Sequence, residues 1–113
     1  MKLMVAGSRS IDKNILNISA FMPDDVELLI TGGTDGVDTM AEQYAAENDI
    51  KVQTMHPKYE HYGNGAPTVR NKQMVDMADR VLVFWDGKSR GAKFIYDYAK
   101  EVGTPVDMMI MKM

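Results

Sequence analysis

Five short apolar runs recur along the chain, with helical patterns between them, and this alternation constrains the fold more than any other feature. KLMVAG (2–7), VELLIT (26–31), IKVQTM (50–55), DRVLVFW (79–85) and TPVDMMI (104–110) read as strands. DRVLVFW is the most apolar and is expected at the centre of the sheet, while the alternating IKVQTM is expected nearer an edge. Ile11, Ile15, Ile18 and Met22 share one helical stripe, which predicts a helix from about Asp12 to Met22 with Ser10 or Asp12 as N-cap. Val37, Met40, Ala41, Tyr44 and Ala45 define a second helix. A loop rich in Tyr, Gly and Pro (56–66) leads to a third, opening at Pro67, a favoured first helical position. Ala92, Ile95, Ala99 and Val102 mark a fourth, which Gly103 ends.

Strands that alternate with helices form a mainly parallel sheet covered on both faces. The expectation is therefore one α/β domain over residues 1–113, three layers deep, with about five strands in the order 3-2-1-4-5. Its length suits a single core and is too small for two. In open sheets of this kind ligands bind beyond the carboxyl ends of the strands, so the segments after positions 7, 31, 55 and 85 should gather on one rim.

Thirteen basic and sixteen acidic residues give a net charge of −3, which argues against a DNA- or RNA-binding track. No cysteine is present, so disulfides, thiolate metal sites and a cysteine nucleophile are excluded. No apolar stretch approaches the ~18 residues of a membrane span. With no signal-type segment at the start, the cytoplasm is the expected location. The eleven methionines, several in the terminal MMIMKM, read as soft core filler and a frayed end.

Three loops fall on the predicted rim. Gly7, Ser8, Arg9 and Ser10 follow the first strand, Gly32, Gly33, Thr34, Asp35 and Gly36 the second, and Asp86, Gly87, Lys88, Ser89, Arg90 and Gly91 the fourth. The second and third of these feed helix N-termini, whose free N–H groups, with Arg9, Ser89 and Arg90 nearby, would make an anion cradle. Arg70 and Asn71 sit in the first turn of the third helix, and Arg70 shares its inward face with Met74 and Met77. Such an arginine is either clamped to a carboxylate such as Asp35 or Asp38, or held for an anionic ligand. Asp38, in the first turn of its helix, suits the macrodipole with or without a ligand. His56 and His61 lack partners at metal-ligand spacing, so no metal site is expected. Tyr59, Tyr62 and Trp85 either wall a flat ring or pack the long loop onto the domain, and Tyr59 is assigned to packing.

Taken in order, VAGSR, TGGTDGVDTMAEQYA, HPKYEHYGNGAPTVRNKQM and VLVFWDGKSRGA resemble the YspA-like branch of the SLOG superfamily, over roughly residues 3 to 106. That superfamily has a Rossmann-like fold and includes the Lonely Guy phosphoribohydrolases and the DNA-processing protein Smf. The resemblance implies a nucleotide or nucleotide derivative, such as NAD or ADP-ribose, on the rim, with no further cofactor required. It places ligand contacts on Gly7, Ser8 and Arg9; on Gly32, Gly33, Gly36 and Asp38; on Arg70 and Asn71; and on Asp86, Ser89, Arg90 and Gly91. Lonely Guy enzymes carry PGGxGTxxE after the corresponding strand, and their glutamate takes part in glycosidic cleavage. Here Ile95 stands at that position, and an alkyl side chain can neither move a proton nor stabilise an oxocarbenium ion.

Three readings follow. The first is a nucleotide-binding or sensing module. The second is a nucleotide N-glycosidase that uses an aspartate (Asp35, Asp38 or Asp86), with Asp38 and Arg70 as catalytic candidates. The third, a single-stranded DNA binder, has the net charge against it. Exposed methionines with Tyr96 and Tyr98 point to an apolar patch and, most simply, a C2 homodimer.

Overall fold

The computed structural model describes residues 1–111 of the chain. Strands β1 (Lys2–Gly7), β2 (Leu28–Thr31), β3 (Lys51–Thr54), β4 (Arg80–Trp85) and β5 (Val106–Ile110) form one sheet in the order β3-β2-β1-β4-β5. Every neighbouring pair is parallel, so the expected order and direction are both observed. Strand alternation divides the core in two. Leu3, Val5, Leu29, Leu82 and Phe84 point to one face, and Met4, Ala6, Ile30, Val81 and Val83 to the other.

Helix α1 (Val37–Glu47) covers the first face, burying Val37, Ala41 and Ala45. After β3 come the single turn α2 (Tyr59–Tyr62) and then α3 (Ala66–Met77), which packs on the second face through Met74 and Val75. Helix α4 (Arg90–Val102) joins it there through Ala92, Ile95 and Ala99, and Gly103 ends it at φ 82°. Pro67 is the second residue of α3, so Arg70 lies one residue further in than the sequence suggested. As expected, β3 is an edge strand, and all four of its residues are exposed.

The helix expected over Asp12–Met22 is absent. The segment forms turns and a short 3₁₀ element, Ile18–Phe21. Its polar side chains compete for the groups that a helix would use: Asp12 Oδ1 accepts from the Asn14 N–H at 2.8 Å, and Asn17 Oδ1 from the Ser19 hydroxyl at 2.7 Å. The isoleucines are anchors without being helical. Ile11, Leu16 and Ile18 are buried, and Phe21 meets Phe84 edge-on at 5.4 Å, while Ile15 is exposed. Among the described residues, no helix is long and apolar enough to cross a membrane.

Candidate functional site

The connections β1-β2-β3 run over the α1 face and those leading to β4 and β5 over the α3–α4 face, so the chain diverges between β1 and β4. Such a divergence leaves a crevice at the carboxyl ends of the strands. A cleft of about 430 Å³ opens there. Ala6, Gly7, Arg9 and Ser10 line it from β1, and Gly32, Thr34 and Asp38 from the β2–α1 connection. Pro67, Arg70, Asn71 and Met74 of α3 form a third side, and Asp86, Ser89, Gly91, Ala92 and Ile95 close it from β4 and α4.

Arg70 is held by three bonds. Its Nη1 donates to the carbonyl oxygens of Gly32 (3.0 Å) and Met55 (3.1 Å), and its Nε donates to Asn71 Oδ1 (2.9 Å). These bonds span the ends of β2, β3 and α3, so the guanidinium joins three elements at the rim. Burial lowers its pKa from the ordinary arginine value; the charge of Asp38 opposes that, and Arg9 adds to it. Arg70 remains charged, because no such shift reaches neutrality for a guanidinium. Two cations thus face one cleft.

Asp38 is 5% exposed. Its Oδ2 accepts from the Thr34 hydroxyl (2.8 Å) and N–H (3.2 Å), while its Oδ1 is buried without a hydrogen-bond partner among the described residues. Burial pushes the carboxyl above its ordinary value. The Thr34 bonds, the Gly32 N–H and the Arg70 charge all pull it back. Of the two alternatives for Arg70, the clamp to Asp35 or Asp38 is not formed; Asp35 is exposed, and the arginine spends its bonds on backbone carbonyls.

Asp86 plays a different part. Its Oδ1 accepts from the N–H groups of Lys88 and Ser89, both at 2.8 Å, and its Oδ2 from the Ser10 hydroxyl at 2.7 Å. The Ser89 N–H first, then the Ser10 hydroxyl and the Lys88 N–H, hold this carboxyl well below the usual range. Ser8 is buried outside the cleft lining, where its Oγ accepts from the Asp86 N–H at 3.0 Å. Ser8 and Ser10 therefore tie the β1 loop to the β4 loop.

The glycines divide into two kinds. A Cβ on Gly32 would stand 2.7 Å from Arg70 Nη1, and one on Gly7 2.4 Å from Val37 Cγ2. At Gly36, φ is +85° and a Cβ would meet the carbonyl oxygen of Ile11 at 3.0 Å. At Gly33 it would point at Thr54 (2.7 Å) and His56 (2.9 Å), and neither Gly33 nor Gly36 lines the cleft. The protein's own atoms account for all four. Gly91 is the exception: it lines the cleft from the first turn of α4, with nothing within 4 Å of its Cβ position.

Of the residues expected at the site, Gly7, Arg9, Gly32, Asp38, Arg70, Asn71, Asp86, Ser89 and Gly91 share the cleft. Arg90 lies on a neighbouring hollow instead. Tyr59 does not pack onto the domain: it is 58% exposed, on a turn with no buried residue. Tyr96 and Tyr98 carry lysine ammoniums over their rings, from Lys93, Lys100 and Lys72. The apolar lining escaped sequence reasoning because Ala6, Met74 and Ala92 read as core and Pro67 as a helix start. Thr34 and Ser10 were legible as loop residues but not as the partners of Asp38 and Asp86. Among the described residues, no cluster of three or more metal-ligating side chains occurs.

Comparisons of the chain with models of protein families, with curated proteins and with solved structures find no match. What identifies the chain is its architecture: a parallel, five-stranded α/β sheet of Rossmann-like order whose switch point carries a polar cleft.

Proposed function

We propose that the cleft binds a nucleotide or nucleotide derivative by its ribose-phosphate end, and that the protein is a ligand-binding or sensing module. The observation that carries this reading is the convergence of Arg9 and Arg70 on one cleft, where the charge of Arg9 disfavours that of Arg70. An anion relieves that repulsion, and a phosphate does so with geometry suited to guanidinium forks. The open face of Gly91 on the first turn of α4 lets an anion approach backbone N–H groups. The cavity volume suits a nucleotide-sized molecule. The four sequence blocks that resemble the YspA-like SLOG branch support the same reading.

A second reading, cleavage of the N-glycosidic bond, is favoured by one observation: Asp38 places a buried, partly unpartnered carboxyl in the cleft wall. Against it, Ile95 presents an alkyl group in that wall. Calorimetric titration with AMP, ADP-ribose and NAD tests the binding reading. Arg9→Ala and Arg70→Ala should each weaken binding roughly tenfold to a hundredfold, and equal binding by all three proteins would refute it. Chromatography of the same incubations separates the two readings, since only the second releases free base.

A further inference from the structure

Beyond the Ser89 turn, a second hollow of about 350 Å³ adjoins the cleft, and Ser89 lines both. Trp85 and Phe94 supply its apolar walls, and Lys88, Arg90 and Lys93 its basic rim. Lys93 is paired with Asp97 at 2.6 Å, whereas Lys88 and Arg90 have no carboxylate partner among the described residues. The indole Nε1 of Trp85 donates to the Ser89 carbonyl oxygen at 2.8 Å. That bond satisfies the ring's one polar group and fixes it against the turn that separates the two cavities. The indole is then left with its face, which can only stack. An aromatic wall beside uncompensated cations suits a planar ring joined to a negatively charged phosphate.

We infer that this hollow is the second half of a bipartite site, so that the ligand is dinucleotide-like. One nucleotide occupies the cleft, a pyrophosphate crosses the turn at Ser89, and a second planar ring stacks on Trp85 beside Lys88 and Arg90. The inference rests on the binding reading above and narrows its ligand class.

Trp85 is the one tryptophan of the chain, so its emission reports this hollow alone. The test titrates the full-length protein with AMP and with diadenosine pyrophosphate, following calorimetry and tryptophan emission together. The dinucleotide should bind at least about tenfold more tightly than AMP and quench the emission, while AMP binds without quenching. Phe94→Ala and the exposed Lys88→Ala should bring the dinucleotide towards the affinity of AMP and leave AMP binding unchanged. Lys88→Ala keeps the test decisive should Phe94→Ala fail to fold. Equal affinities with unchanged emission would overturn the bipartite site while leaving the nucleotide cleft standing. Failure of both ligands to bind would overturn the cleft reading and the second subsite with it.

Discussion

Arg70 occupies the space that a side chain at Gly32 would need: its Nη1 donates to the Gly32 carbonyl oxygen at 3.0 Å and lies 2.7 Å from that glycine's Cβ position. Gly32 has no positive φ, so alanine there is objectionable only because of the arginine. Gly32→Ala should therefore displace the guanidinium and cost about 1.5–3 kcal/mol of stability, the worth of hydrogen bonds to a charged group. In an Arg70→Ala background the same change should cost almost nothing. Urea denaturation of the four proteins measures this coupling, and additive costs would show that the two residues are independent.

Gly33 and Gly91 should respond to alanine with opposite signs. At Gly33 the backbone is left-handed (φ +70°) and the new Cβ meets Thr54 and His56, away from the cleft. Gly33→Ala is expected to lose about 1–2 kcal/mol of stability, with ligand affinity per folded molecule retained. Gly91→Ala should hold or raise stability, by up to about 1 kcal/mol, because alanine is the better helix former. Its methyl enters the cleft, so binding of AMP should weaken. Paired melting curves and titrations separate the two; a Gly91→Ala protein that binds like wild type would remove α4 from the anion site.

Asp38 makes the fold sensitive to pH in an unusual direction for a carboxylate. Burial raises its pKa above the unfolded value, so between those two values the folded chain holds more protons than the unfolded one. Its contribution to stability is therefore fully present below the unfolded pKa and declines as the pH rises through the folded pKa. Asp38→Asn has no proton to lose. Relative to this variant, wild type should be most stable at low pH and lose ground as the pH rises towards neutrality. Denaturation curves for both proteins at several pH values from 3 to 7 test the sign, and a difference that grows with pH would refute it.

Asp86 has the opposite linkage. Its pKa is lowered, so its contribution is present above the unfolded carboxylate pKa and disappears only in strong acid. Asp86→Ala should free the N–H groups of Lys88 and Ser89 and speed their hydrogen exchange at neutral pH, while the strand amides of β4 stay protected. Unchanged exchange at both positions would mean that the turn holds itself.

The sheet was legible because strands buried on both faces leave a strong apolar signature, as in LMVAG and VLVFW, and because parallel strands joined by helices admit few orders. The 12–22 segment was misread because Ile11 and Ile18, which fit a helical stripe, serve equally well as buried anchors of an irregular segment, while Ile15 on the same stripe is exposed. The balance was tipped by Asp12 and Asn17, whose side chains bond locally. At the site, the loops named by the sequence do meet, but the roles of their glycines were not readable. A glycine needed for a ligand and one needed for an arginine 38 positions away look alike until the chain is folded.

The same 12–22 segment has a consequence for how the molecule breathes. Between Ile11 and Phe21 its hydrogen bonds run to residues no more than four positions away, among them Ile11 to Ser8, Leu16 to Asp12 and Ala20 to Asn17. The segment is fastened to the sheet by apolar side chains and not by a ladder, so it can detach without breaking any strand pairing. It begins where Arg9 and Ser10 end, so its detachment would leave that bank of the cleft held to the β4 loop by the Ser10–Asp86 bond. A molecule bridging Arg9 to Arg70 would suture that bank to the opposite one, and its presence would be felt as slowed amide exchange in residues it never touches.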